Sequence, residues 1–555
     1  MPFQSFTITQ VTNSGKAARA ALAPDGRYVL SVVDDNGLQS LWLRNVPTGS
    51  DTQVVPPSAS QYESLAFSPD GNYIYFRKAR NVRNTDFDLY RAPVLGGTPQ
   101  TVVRDIDSDI AFSPDGNRIA YARGNNPELG KYRLLTAALD GSDEKILQIG
   151  PVEQTPAHVA WSIPGNQIAY DLIQPGSVLG EIDVFDVATG KARRLAAFND
   201  KFPRELKWSP EGREIFANYA TRGNFLRGQI GFLPSTGGEI QPITRDTNGY
   251  QTLTASADGR TLATVQTKAT RNVYIVPGAG SQSAQADPVP SRVRDVLGLN
   301  WSAGGDLLAS DGARLWRMGP EGKNLAQLFT DPKAVTGTLS ACGVRYLVLV
   351  KFQEGTNSVA IWRVDADGSN AVRLTSGKLD LFPVCAPDQK WVYYQDGAAR
   401  HIGRVPLDGS AKPEAVQGSG DFRGLTPPLE MSVSADGKTL AYAVALINAE
   451  TQESTEKVAL LNLEAPTSPR LLDANPHISG GVQFTPDGKA VAYPIRENGV
   501  DNLWVQPLDG SAGHQITNFT SEQIDEFHWS PDGKSLGLLR GHSESDVVLL
   551  QESKR

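Results

Sequence analysis

Gly533-Lys534-Ser535-Leu536-Gly537 has the Gly-x-Ser-x-Gly spacing with which hydrolases raise a nucleophilic serine on a strained strand-to-helix elbow. Here the serine follows Ser530-Pro531-Asp532-Gly533 directly and runs into an apolar stretch without helical period, so a turn entering a strand is expected. Gly437-Lys438-Thr439 has Ser432 where a phosphate-binding loop needs its first glycine. Asp105, Asp107 and Asp109 set three carboxylates at alternate positions, a hard-oxygen set of the kind calcium takes. They lack the glycine and the distal bidentate glutamate of a known calcium loop, and a solvated acidic loop is the expectation. The histidines, at 158, 401, 477, 514, 528 and 542, include no short-spaced pair for a zinc ion, and most are expected at the surface or in turns. No metal, cofactor or catalytic set is expected. Cys342 and Cys385 stand near equivalent turns of neighbouring repeats, where Cα separations often exceed the ~7 Å that a disulfide tolerates, so two buried free thiols are expected.

The elements that must position these residues follow from an internal repeat. AFSPDGNYIYF (Ala66 to Phe76) returns as AFSPDGNRIAY (Ala111 to Tyr121), KWSPEGREIFA (Lys207 to Ala217), QFTPDGKAVAY (Gln483 to Tyr493) and HWSPDGKSLGL (His528 to Leu538). With weaker copies, the Asp of the turn or its equivalent falls at 25, 70, 115, 164, 211, 258, 304, 343, 388, 436, 487 and 532, spaced 39 to 51 residues apart. Four short strands and their turns need ~40–50 residues. An apolar run ends in an aromatic, Pro-Asp-Gly turns the chain, and a second strand follows. A third strand comes next, such as DLYRAPV (Asp88 to Val94) or NLWVQPL (Asn502 to Leu508), then a short fourth. The fold class expected is all-β: a tandem β-propeller of two six-bladed rings with four-stranded antiparallel blades. The Pro/Gly-rich stretch after NVYIVP sets the division, with residues 1–278 as the first ring, 279–286 as linker and 287–555 as the second. Phe6 to Thr12 is expected to complete blade six, and a strand near Asp287 to Ser291 blade twelve. The aromatics before the turns, Phe67, Phe112, Trp161, Trp208, Trp301, Phe484 and Trp529, recur at one fixed place in seven of the twelve units and are expected to pack between blades.

The chain has 555 residues, with 53 Gly and 36 Pro, and its net charge of -8 disfavours nucleic acid and anionic lipid as partners. No eighteen apolar residues run together, and the start MPFQSFTITQ lacks a basic n-region and an apolar h-region, so no membrane insertion is expected. A protein or small-molecule ligand at a propeller face is the partner class that remains. Ligand positions are sought where the repeat is irregular, six or seven residues before each turn. In the first ring this gives Glu63, Asp109, His158, Arg204 and Glu205, and in the second Phe382, Glu430, Asp525 and Glu526. The loops from Arg77 to Phe87 and from Asn448 to Lys457 would add reach on the same face.

The SPDG turn, the IAY-type strand and the IYV-type third strand resemble the TolB-type propeller repeat. More narrowly, NGLQSLWLRNVPTGSDTQVV (Asn36 to Val55), FPVCAPDQKWVYY (Phe382 to Tyr394) and SGGVQFTPDGKAVAYPIRENGVDNLWVQPLDG (Ser479 to Gly510) resemble the region behind the kinase domain in acidobacterial membrane-anchored serine/threonine kinases. That resemblance implies an extracytoplasmic, periplasmic sensing or interaction module. Phosphoryl transfer itself needs an HRD-type loop, a DFG Asp and a strand Lys. Here Val359-Ala360-Ile361 is followed by Trp362 and Asp421-Phe422 by Arg423, so this polypeptide is not expected to be an enzyme. Two alternatives remain: a propeller that gates substrates for a serine peptidase, and a propeller lyase or glycosidase, which would need carboxylates or histidine converging in one channel.

Overall fold

The computed structural model describes residues 2–80, 86–173, 180–221, 224–277, 286–290, 293, 296–331, 334–352, 358–419, 430–447, 454–465 and 468–553. The chain is all-β, and the helical structure among the described residues is one 3₁₀ turn at Val152–Gln154. It divides into two compact units, residues 1–269 with 543–555, and residues 270–542. Ten sheets each hold four antiparallel strands in sequence order, the meander of a propeller blade. In the first unit they span residues 17–58, 62–103, 111–151, 159–197 and 201–242. In the second they span 298–330, 334–373, 380–415, 431–473 and 483–515.

The repeated turn is held by its own side chains. Ser68 Oγ donates to Asp70 Oδ1 (2.5 Å), and the Asn72 N–H donates to the same carboxylate (3.1 Å). The Tyr73 N–H returns to Ser68 Oγ (2.9 Å), and Gly71 takes a φ of 73°. The same set recurs around Asp115, Asp258, Asp436, Asp487 and Asp532. Ser535 is part of it: its N–H donates to Ser530 Oγ (2.9 Å) and it opens the strand Ser535–Glu552, so no elbow forms.

Neighbouring sheets share apolar cores. In the first unit Leu30 packs with Phe67, Tyr75 with Tyr121, Tyr132 with Ile168, Ile182 with Trp208, Phe216 with Leu262, and Ala263 with Val29. In the second, Leu308 packs with Leu347, Ile402 with Tyr442, Val458 with Tyr493, Leu503 with Phe527, and Leu539 with Leu307. The aromatics before the turns pack as expected from their recurrence. Trp208 Nε1 donates to the Ala160 carbonyl of the preceding sheet (3.1 Å), and Trp301 Nε1 to the His528 carbonyl (2.8 Å).

Three expectations are corrected. The two long third strands are exchanged between the expected blades: Phe6–Gln10 pairs with the end of the last strand, from Phe6↔Glu552 to Gln10↔Val548, and not with Asn272–Pro277. Tyr274 and Ile275 pair instead with Pro288 and Asp287, and Gln523–Trp529 pairs with the first half of Ser535–Glu552. The chain therefore leaves the first unit after Ala269 and re-enters it at Ser543, in place of a division at 279–286; of that stretch only Ala286 is described. Second, Cys342 and Cys385 form a disulfide with Cα atoms 5.5 Å apart. They end the first strands of adjacent sheets, Ala334–Cys342 and Asp380–Cys385, and these strands lie close enough for the Cys385 N–H to donate to Ser340 Oγ (3.2 Å). Third, the carboxylates of the Asp105 loop hold backbone and amide groups. Asp107 accepts the Gly124 N–H (2.7 Å), and Asp105 accepts from Asn126 (2.5 Å).

Candidate functional site

The first strand of each sheet carries the residues six or seven positions before the turn, and in several sheets a β-bulge falls there. Pairing skips Arg204 between Pro203↔Tyr219 and Glu205↔Asn218, and Asp525 between Ile524↔Arg540 and Glu526↔Leu539. It skips Glu63 and Ser64 in the second sheet, and Phe382 and Pro383 in the ninth repeat. A bulge re-aims side chains and breaks the two-residue alternation. Consequently Glu205 and Glu526 each line a cavity, in the first and second unit respectively, and Arg204 and Asp525 are not among the residues lining either one. Asp525 is instead held by Arg271 (2.7 Å).

In the first unit Glu63, Asp109 and Glu205 come together with Arg19 and Lys207 around a cavity of only about 20 Å³. Arg19 binds Glu63 (2.7 Å). His158 lies behind this group: Asp171 accepts its N–H (2.7 Å) and contacts its Nδ1 (2.9 Å). Burial raises the Asp109 and Glu205 carboxyls, and the Lys207 and His158 cations pull the other way. The group fills its own space with opposed charges and leaves no volume for a ligand.

In the second unit a cavity of about 480 Å³ opens among the first strands, within the range of ligand pockets. Phe382, Glu430 and Glu526 line it, with Gln483 and His528, against an apolar wall that includes Met431, Phe484 and Pro531. Phe382 stands in the left-handed region with φ 51°. Burial raises both Glu430, to about 7, and Glu526, which the Glu430 charge raises further. Burial also lowers His528 to about 4, so the imidazole is neutral, 3.4 Å from the Gln483 amide. Of the long loops expected to add reach, residues 81–85 and 448–453 lie outside the described residues.

Three of the expected site carboxylates share a scaffold role. Asp109 accepts the Val159 N–H (2.8 Å), Glu205 the Leu253 N–H (2.5 Å) and Glu526 the Leu299 N–H (2.5 Å). Each stands six residues before its turn and clasps the next sheet. Glu430 occupies the same position before Asp436 and has no hydrogen bond among the described residues. Sequence reasoning missed Lys207 and His528 as cavity residues, although Glu205 with Lys207 and Glu526 with His528 are two apart on a strand and so share a face.

No protein-family model matches the chain, and no curated protein does. Among solved structures it is similar to the tricorn protease at 14% identity and a TM-score of 0.34, covering 89% of this chain and 49% of that one. A chain of a nidogen/laminin complex matches at 16% identity and a TM-score of 0.32, over 44% of this chain and 83% of that one. TolB from Acinetobacter baumannii matches at 15% identity and a TM-score of 0.27, over 62% and 77%. The chain thus spans about half the length of the tricorn protease chain. No helix among the described residues is long and apolar enough to cross a membrane.

Proposed function

We propose that the chain is a tandem pair of six-bladed β-propellers that binds a ligand or protein without transforming it, as the sensing or interaction region of a receptor-like serine/threonine kinase system. Support for six blades per ring comes from the succession of shared cores, which in the first unit runs from sheet to sheet and returns from Ala263 to Val29. The observation that carries the binding reading is the contrast between the two cavities among the first strands. One is filled by its own charged groups, with Arg19 paired to Glu63, at about 20 Å³, and the other is open at about 480 Å³, lined by Phe382, Glu430, Glu526 and His528 beside turn residues of the repeat such as Phe484, Pro486 and Pro531. The kinase association rests on the resemblance of the three stretches quoted above. The Cys342–Cys385 disulfide supports an extracytoplasmic compartment, because cytosolic thiols are kept reduced.

One observation favours a second reading. Glu430 and Glu526 are two interacting carboxyls in one cavity, the group a glycosidase needs. A glycosidase, however, keeps one carboxylate ionised beside its protonated partner. Here no Lys or Arg among the lining residues stands beside either carboxyl to hold it ionised.

The test is a thermal-shift screen of the full chain against peptides, cell-wall fragments and aryl glycosides, repeated with a cavity-filling Val433→Trp variant. A stabilising ligand raises the melting temperature by mass action. The expected result is a shift in the parent chain that Val433→Trp abolishes, with no glycoside turnover. Glycoside turnover, or a ligand shift that Val433→Trp leaves unchanged, would overturn the reading.

A further inference from the structure

We infer that the cavity of the second unit receives an organic ammonium group carried on an apolar body, with Glu430 and Glu526 as its counter-charges. This rests on the binding reading above and names its ligand class. The first ground is the position of Glu430. Its repeat equivalents Asp109, Glu205 and Glu526 each hold a backbone N–H of the following sheet. Glu430 holds none among the described residues, and its side chain lies so close to Gly481 that a Cβ there would collide with it. Glu430 is half-buried, and a carboxyl that lines an open cavity without clasping the next sheet is available to a donor from a ligand.

The second ground is charge. The lining residues include two carboxyls and no Lys or Arg. The nearby charged groups are Asp525 and Arg271, which bind each other at 2.7 Å, and His528 is neutral. An anion would find no partner, and no group of three or more metal ligands gathers among the described residues. A monovalent cation would relieve the repulsion between the two carboxyls, which now raises Glu526. The third ground is the wall. Phe382, Phe484 and Met431 give an apolar and aromatic face beside the acids, suited to the body of such a ligand and to cation–π contact.

The experiment titrates the full chain calorimetrically at pH 8 with tryptamine, its alcohol analogue tryptophol and its acid analogue indole-3-acetate. Tryptamine is expected to bind at one site, with the alcohol and acid at least about tenfold weaker, as befits a charge-assisted contact. Glu430→Gln and Glu526→Gln should each weaken tryptamine at least about tenfold. Both should melt at or above the parent temperature at pH 8, because a neutral amide removes the repulsion and, in Glu526→Gln, its carbonyl oxygen still accepts the Leu299 N–H. Tryptamine affinity should fall from pH 8 to pH 6 as protons compete for the pair, with protons released on binding at pH 6. Failure of tryptamine to bind, equal binding of tryptophol, or unchanged affinity in Glu430→Gln would overturn the inference. A peptide or cell-wall fragment that binds without preferring an amine would overturn it while leaving the binding reading intact, whereas glycoside turnover would remove the binding reading itself.

Discussion

His158 is held between opposing effects. Burial disfavours its cation, while Asp171 at 2.9 Å, Asp109 and Glu205 favour it, and the balance lifts its pKa to about 9. Because the folded value lies above the ordinary 6.5, the stabilisation is complete below about pH 6.5 and is lost as pH rises through 9. Urea unfolding of the first unit is expected to lose on the order of 2–3 kcal/mol between pH 6.5 and pH 10. In Asp171→Asn that slope should flatten, since asparagine can still accept the Ala157 and His158 N–H groups but no longer favours the imidazolium. An unchanged slope would show that Asp171 does not set the charge state. Counting back from the turn is enough to find Glu63, Asp109, Glu205, Glu430 and Glu526 in the sequence. It does not reveal which of them clasp a backbone N–H and which face open volume. Nor does it reveal which of two neighbours, Arg204 or Glu205 and Asp525 or Glu526, faces inward, because that is set by bulges that shift the inward face by one residue, and a bulge has no composition of its own.

At the scale of the element, the turns do more than reverse the chain: in several repeats the proline of one turn abuts the glycine of the next. A Cβ at Gly259 would stand 2.5 Å from Pro210 Cδ, and one at Gly533 2.7 Å from Pro486 Cβ. Gly437 has the same left-handed backbone, φ 74°, with nothing within 4 Å. Gly437→Ala therefore meets only the left-handed penalty, about 1–2 kcal/mol. Gly259→Ala adds overpacking against a rigid ring, about 1–3 kcal/mol more. Chemical denaturation of the two variants should rank them in that order, and equal losses would mean that the turns do not support one another. Ser-Pro-Asp-Gly is legible because each member acts within five residues of the others. The disulfide is not, because its formation depends on how closely two first strands approach, which no local pattern reports.

For the whole molecule, repetition itself limits what can be read. Asn272–Val276 and Val547–Gln551 are both third strands with apolar faces, and either could in principle complete either sheet. Their assignment comes from long-range pairing: Val547, Val548, Leu549 and Leu550 are buried in the first unit's cores, and Val273 and Val276 in the second's. Fragments distinguish the two arrangements. A chain of residues 270–542 contains every strand of the second unit and is expected to fold alone with one cooperative transition. A chain of residues 1–278, which the Pro/Gly-rich seam would recommend, lacks the partner of Phe6–Gln10 and the four apolar residues 547–550. It leaves an unpaired strand edge and an open core, so aggregation is expected. Joining residues 1–269 to 543–555 by a short Gly/Ser linker should restore a soluble, cooperatively folding unit, since the Thr267 and Ser545 hydroxyls already lie 2.9 Å apart. If residues 1–278 instead gave a stable monomer by size-exclusion chromatography and circular dichroism while 270–542 did not, the exchange of third strands would be wrong, because only the unexchanged pairing makes the N-terminal fragment complete.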